Sequence, residues 1–265
     1  MELIPKIIIY YQTFIGLQGL LQCKPVPVSH IHLCSFHFGR NPDNSPYIHL
    51  NNFPPDDPQF DSVWKEIKEA HEAGVKIVFM FGGAGGAFTE LFSDFTTYYS
   101  LLQETIRNYP FVSGIDLDVE EYVSLGNIEF LIQQLHLDFP TLTVNMAPVS
   151  YALQQDNPGM GGFKYKTIEH TQQIDYYNGQ FYGDYTADSY NQVIKNGWNP
   201  PKIVFGLLGN DTESLENIET IIKSLYEQWG NAFGGVYLWE YSMAPRHHPA
   251  HPEDWALAMW NIFHS

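Results

Sequence analysis

Basic residues are scarce in this sequence: 13 lysines and arginines stand against 30 aspartates and glutamates, a formal net charge of −17 over 265 residues. They form no basic run and no basic helix face. Nucleic-acid recognition rests on clustered Lys and Arg that neutralise phosphate, so a polyanionic partner is excluded. Cysteine is scarcer still, with only Cys23 and Cys34. A chain of this size does not need a disulfide framework, and Cys34, inside an apolar run, reads as a buried free thiol. No apolar run approaches the ~20 residues of a membrane span, so no membrane association is expected. The start, Met1-Glu2-Leu3-Ile4-Pro5, lacks a basic segment followed by an apolar stretch and a cleavage site. The expectation is a cytoplasmic protein, or a secreted one whose leader has been removed. A glycine-rich dinucleotide fingerprint is also missing after the first strand, which weakens an open nucleotide-binding sheet.

What the sequence has is alternation. Short apolar segments at Lys6–Gln12, Ser29–Phe38, Lys76–Phe81, Val112–Val119, Leu142–Ala147, Tyr177–Tyr182, Lys202–Leu208 and Gly235–Glu240 read as eight strands. Between them, Gln59–Ala73, Phe95–Arg107, Ile128–Asp138 and Glu213–Trp229 carry apolar residues at helical spacing, and Gly74 and Gly230 act as stops. A last helix opens at Pro252-Glu253-Asp254 and runs to Phe263. Near-continuous apolar strands separated by helices predict a parallel sheet covered on its outer face. Eight such units in a chain close to the roughly 250 residues of a (β/α)8 barrel predict an α/β TIM barrel, one domain over residues 1–265. The Pro-, Asn- and Asp-rich stretch Asn41–Pro58 reads as a long loop on the rim after the second strand. The many aromatic residues, 18 Phe, 17 Tyr and 6 Trp, fit either a thick core or a cleft lined with rings.

The segment Ser113-Gly114-Ile115-Asp116-Leu117-Asp118-Val119-Glu120 carries the chemistry. Side chains alternate along a strand, so Asp116, Asp118 and Glu120 share one face and Ile115, Leu117 and Val119 the other. With the apolar set against the helices, the three carboxyls face the barrel interior. Burying unpaired charge costs several kcal/mol per group, so packing alone does not select this pattern. Residues i and i+2 are about 6.6 Å apart in rise, near enough for their carboxyl groups to share a proton. Such coupling raises at least one pKa and leaves an acid able to protonate a leaving group near neutral pH. Glu120, at the C-terminal end of the strand, stands where barrel enzymes keep their chemistry. An exposed sheet edge or a carboxylate metal site would be the other uses of such a strand.

In this strand the sequence resembles the family 18 glycoside hydrolases, whose fourth strand carries D-x-x-D-x-D-x-E. Asp116, Asp118 and Glu120 match its last three acidic positions, while Ser113 replaces the first. Met80-Phe81-Gly82-Gly83 resembles the third-strand S-x-G-G with Met80 for Ser. Gln180-Phe181-Tyr182 resembles the sixth-strand Q-F-Y, followed here by Gly183 rather than Asn. Gly234–Trp239 resembles the eighth-strand segment that ends in a tryptophan floor; Ser35-Phe36 and Met146-Ala147-Pro148 are weaker matches. The resemblance implies a retaining, substrate-assisted hydrolysis of N-acetylglucosamine-containing oligo- or polysaccharides, with no cofactor and no metal. It implies that Glu120 is the acid, Asp118 orients the substrate acetamide, Asp116 tunes Asp118, and Tyr182 bonds the acetamide oxygen. Gln180, Trp239, Phe36, Met146, Tyr10 and Gly83 are the implied substrate contacts, on a monomer.

Chitin and the chitobiose core of N-glycans both fit; Gly183 leans toward the glycan-cleaving enzymes, Gln180 and Trp239 toward chitinases, and chitin is the favoured substrate. The Leu208-to-Gly235 stretch holds one helix and no room for the α+β insertion that deepens some clefts. A catalytically silent carbohydrate-binding barrel is the alternative of another class. Gly82, Gly83, Gly85 and Gly86 read as a tight turn. His247, His248 and His251 read as a surface loop rather than a metal site, and Glu121 points away from Glu120.

Overall fold

The computed structural model describes residues 5–211, 214–245 and 251–265. Nine strands form one sheet: β1 (Lys6–Tyr11), β2 (His30–Arg40), β3 (Pro46–Leu50), β4 (Lys76–Gly82), β5 (Val112–Asp118), β6 (Thr143–Met146), β7 (Tyr176–Gln180), β8 (Ile203–Leu208) and β9 (Gly235–Trp239). All but β3 pair in parallel, in the order β1-β9-β8-β7-β6-β5-β4-β2, and the further pairing of β1 with β2 closes the ring. The eight-stranded α/β barrel expected from the alternation is therefore present, with strand limits within a few residues of those read from sequence. Helices Asp61–Glu72, Phe95–Asn108, Leu125–Asp138, Leu215–Trp229 and Asp254–Phe263 cover its outside. Only Leu215–Trp229 and a short turn at Gly230–Ala232 lie between β8 and β9 among the described residues.

Alternation sorts the strands into two apolar layers. Residues such as Ile7, Ile9, Phe79, Ile115, Leu117, Val144 and Leu238 face the helices in one large core, whereas Ile8, Tyr10, Cys34, Met80, Tyr176, Val204 and Tyr237 fill the barrel itself. Cys34 is a buried free thiol.

One loop reading needs correction. Within Asn41–Pro58 the segment Pro46–Leu50 is a strand, antiparallel to the upper half of β2 with Phe38 opposite Ile48 and Phe36 opposite Leu50. Ile48 and Leu50 are buried while Tyr47 and His49 stack at 3.7 Å on the other face. That alternation is legible in Tyr47-Ile48-His49-Leu50; the surrounding Pro and Asn residues conceal it. The short helices Phe88–Ser93, Ser150–Gln154, Tyr165–Glu169 and Ala187–Lys195 were also not legible as periodic segments. His247 and His248 lie outside the described residues; His251, which is described, pairs with Glu253 at 2.9 Å.

Candidate active site

Strand β5 carries its carboxyls inward. Asp116 is fully buried and Asp118 nearly so, while Glu120, two residues further on, is half-buried at the C-terminal mouth. Ile115, Leu117 and Val119 sit in the helix-facing core, as the two-residue period requires. Ser113 falls where the pairing with β4 slips between Ile77 and Val78, so it lies below the acidic run rather than in it.

The three carboxyls have different surroundings. Asp116 accepts hydrogen bonds from Tyr10 Oη at 2.6 Å and Asn178 Nδ2 at 3.4 Å, and its Oδ2 lies 3.0 Å from His32 Nδ1. Asp118 Oδ1 and Glu120 Oε1 each lie 3.3 Å from Gln180 Nε2, which also donates to the Ala147 carbonyl at 2.9 Å. One amide from β7 thus bridges the two upper carboxyls. Burial, and then the charges of Glu120 and Asp116, push the Asp118 carboxyl well above the usual carboxylate range. Burial likewise raises Tyr10 and Tyr182, so both phenols are donors at neutral pH.

Tyr182 follows β7 and accepts a hydrogen bond from Tyr237 Oη at 3.1 Å. Trp239, at the end of β9, is half-buried with its ring 5.2 Å from that of Tyr10. Gly83 donates its N–H to the Asp118 carbonyl at 2.9 Å and has φ +87°. A Cβ there would stand 3.2 Å from Met80 Cε and 3.6 Å from Asp118 Oδ2, so the missing side chain leaves the edge of Asp118 open. The structure therefore gathers Glu120, Asp118, Asp116, Tyr182, Gln180, Trp239, Tyr10 and Gly83 around one mouth.

Phe36 and Met146 do not join them. Both are fully buried in the helix-facing core, Phe36 stacked on Phe79 at 4.5 Å. For Phe36 the cause is a register slip in β2 between Leu33 and Phe36, a bulge that reverses the inward and outward positions beyond Cys34. Met146 is outward by simple alternation, and Asn145 beside it is the residue that faces inward, paired in register with Asp116. The Asn145 side-chain amide makes no hydrogen bond within the described protein.

Residues not anticipated from sequence also build the site. His32, Asn178 and Tyr176 hold its base: His32 Nε2 lies 3.2 Å from Tyr176 Oη, and Asn178 Nδ2 donates to Tyr10 Oη at 2.9 Å. Polar residues alternating with apolar ones in His30-Ile31-His32 and Tyr176-Tyr177-Asn178 are the signal that marks them. Glu240, buried beside Trp239, accepts from the Thr13 hydroxyl at 2.9 Å, from the Thr13 N–H at 3.4 Å, and from the Ser242 hydroxyl. It joins the end of β9 to the exit of β1. Glu121 turns away from the mouth and accepts from the Ala87 N–H, the Phe88 N–H at 2.5 Å and the Thr89 hydroxyl. A cleft of about 540 Å³ opens beside the mouth, lined by Gln12, His37, Tyr47, Asn51, Asn52 and Gly85 among others. Among the described residues no three His, Cys, Asp or Glu side chains are arranged to hold a metal ion.

Fold and site together define a (β/α)8 barrel with an acidic, aromatic-rimmed centre at the C-terminal ends of its strands. No family model matches the chain. A fungal endo-β-N-acetylglucosaminidase from glycosyl hydrolase family 18 is 33% identical, with a TM-score of 0.88 over 98% of this chain and 98% of the other. The chitinase ChiC of Aspergillus fumigatus is 32% identical, with a TM-score of 0.83 over 96% of this chain and 98% of the other. Chitinase 2 of Rhizopus oligosporus is 27% identical over 217 residues, 69% of this chain; the chain spans 37% of that protein's length. The chain belongs to glycosyl hydrolase family 18.

Proposed function

We propose that the protein hydrolyses β-1,4 linkages between N-acetylglucosamine residues, in chitin or chitooligosaccharides, with retention of anomeric configuration and with the substrate's acetamide as nucleophile. The observation that carries this reading is the Gln180 amide, 3.3 Å from both Asp118 and Glu120 at the mouth of a barrel with Tyr182 and Trp239 at its rim. In this mechanism Glu120 gives its proton to the glycosidic oxygen while the acetamide carbonyl oxygen closes on the anomeric carbon, forming an oxazolinium ion. Asp118 accepts from the acetamide N–H and balances the positive charge that develops. Tyr182 donates to the acetamide oxygen, and Trp239 forms the apolar floor. Water then opens the ring, giving its proton to Glu120. The scheme departs from the two-carboxylate retaining mechanism in that the nucleophile belongs to the substrate. Asp116, beneath Asp118, tunes it, and the cleft beside Gln12 and Asn51 accommodates further sugar units.

A second substrate reading, cleavage of the chitobiose core of N-glycans by the same chemistry, is supported by the 33% identity to the fungal endo-β-N-acetylglucosaminidase. Incubation of chitin oligosaccharides and a high-mannose glycopeptide with wild type and Glu120→Gln, products read by mass spectrometry, decides between them. Wild type is expected to cleave one or both, and the variant to lose at least about 10²-fold in rate, as loss of a general acid does. Binding of chitooligosaccharides without cleavage of either substrate would instead make this a silent carbohydrate-binding barrel.

A further inference from the structure

His32 has no role in the chemistry above, yet it is fully buried at the base of the acidic site and spans two strands opposite its own. Its Nδ1 lies 3.0 Å from Asp116 Oδ2 on β5, and its Nε2 lies 3.2 Å from the Tyr176 hydroxyl on β7. Its ring packs 4.7 Å from that of Tyr10, the other donor to Asp116 Oδ2. A carboxylate facing a ring nitrogen demands a hydrogen there, so Nδ1 carries the proton; Nε2 then accepts from Tyr176, or donates to it if the ring is charged. Either way the donor toward Asp116 is fixed in direction by a partner on its far side, as a ligating histidine is fixed by its outer hydrogen bond.

We propose that His32 is a positioning residue of the acidic site: it anchors the Asp116 carboxyl from below, while Asp118 above it is held by a single shared amide. The two aspartates are unlike in a way that fits this. Tyr10, His32 and Asn178, from three different strands, converge on Asp116, whereas Asp118 contacts one shared amide and borders Gly83 alongside the Met80 methyl. The other titratable groups facing the pair are His30, Cys34, Asp118, Tyr176 and Tyr237, with Lys6 over the Tyr176 ring. Burial, then the charges of His32, Lys6 and Lys76, push His30 well below its ordinary value, so it does not compete as a cation near neutral pH.

The inference rests on the hydrolase reading, and the test separates the two. The pH dependence of kcat/KM on a chitooligosaccharide is measured for wild type, His32→Phe, His32→Asn and Tyr176→Phe, with a circular-dichroism melt of each. Removing a donor to the charged form of a carboxyl disfavours that form and raises the pKa of the carboxyl cluster it belongs to. The acidic limb of the profile is therefore expected to move to higher pH in His32→Phe and, less far, in Tyr176→Phe. His32→Asn, which keeps an N–H donor, is expected to restore part of the shift. In His32→Phe kcat is expected to fall on the order of 10²-fold, as displacement of a positioned group does. Limbs superposable on wild type in the folded variants would overturn the inference alone; if His32→Phe does not fold, Tyr176→Phe decides. A wild type that turns over no substrate would overturn the hydrolase reading, and this inference with it.

Discussion

Asp118 is the residue at which the chemistry is visible as a stability effect. Burial, with the charges of Glu120 and Asp116, raises its pKa in the folded protein, against about 3.9 in an unfolded chain. A raised folded value contributes stability that is fully present below about pH 4 and is lost as pH rises through that value. Asp118→Asn does not titrate. Its stability relative to wild type is therefore expected to be flat below about pH 4 and to increase above it, by at most about 1.4 kcal/mol per pH unit, in denaturant melts. An offset independent of pH would contradict the assignment. The acidic run was legible in the sequence because a two-residue period needs no tertiary information. Phe36 was not placed correctly, because a one-residue bulge in β2 reverses its face and no local signal announces the bulge. Met146 is a different case: motif similarity pointed to it, while the alternation of Val144, Asn145 and Met146 already placed Asn145 inside. Alternation marks His32 and Asn178 as inward-facing, but their roles are not legible from it, because their partner Asp116 lies 84 and 62 residues away.

Among the elements, the exits of β4 and β5 depend on one another. Gly82 has φ +101°, and a Cβ there would stand 2.2 Å from the Asp118 carbonyl, so the two strands approach more closely than any other residue allows. Just beyond, Glu121 caps the helix Phe88–Ser93 through the N–H groups of Ala87 and Phe88. Burial alone would raise its pKa, but the hydrogen bonds from Thr89, Ala87 and Phe88 outweigh that and hold it below the usual value. A lowered value means stability present above the unfolded pKa of about 4.3 and lost as pH falls through the folded value. Glu121→Ala is expected to lose about 1–2 kcal/mol at pH 7, the size of a lost helix cap. That difference should vanish in acid, as followed by urea unfolding at several pH values. A loss that persists unchanged in acid would mean the carboxylate is not what holds the helix. The barrel strands and longer helices were legible from periodicity; β3 was concealed by the Pro and Asn residues around it, and the helices of five to nine residues are too short to show a clear period.

At the scale of the molecule, the net charge of −17 has no bearing on a neutral polymer. Long-range fields steer charged ligands and fade with ionic strength, whereas stacking and short hydrogen bonds in a cleft do not. The KM for a chitooligosaccharide is accordingly expected to change by less than about 2-fold between about 0.05 and 0.5 M salt. A strong salt dependence in steady-state rates would point to a charged substrate. No helix among the described residues is long and apolar enough to cross a membrane. The barrel itself was legible because eight apolar segments at regular spacing leave few topologies for a chain of this length.

In the reaction we propose, a β-linked N-acetylglucosaminide is cleaved with its own acetamide as nucleophile, over Asp118 and under Glu120. The most direct test is the anomeric configuration of the first product released from a chitooligosaccharide, read by proton NMR before mutarotation. Two inversions at one carbon give the β-anomer, and that is the predicted result. An α-anomer as first product would mean direct attack by water and would contradict the account.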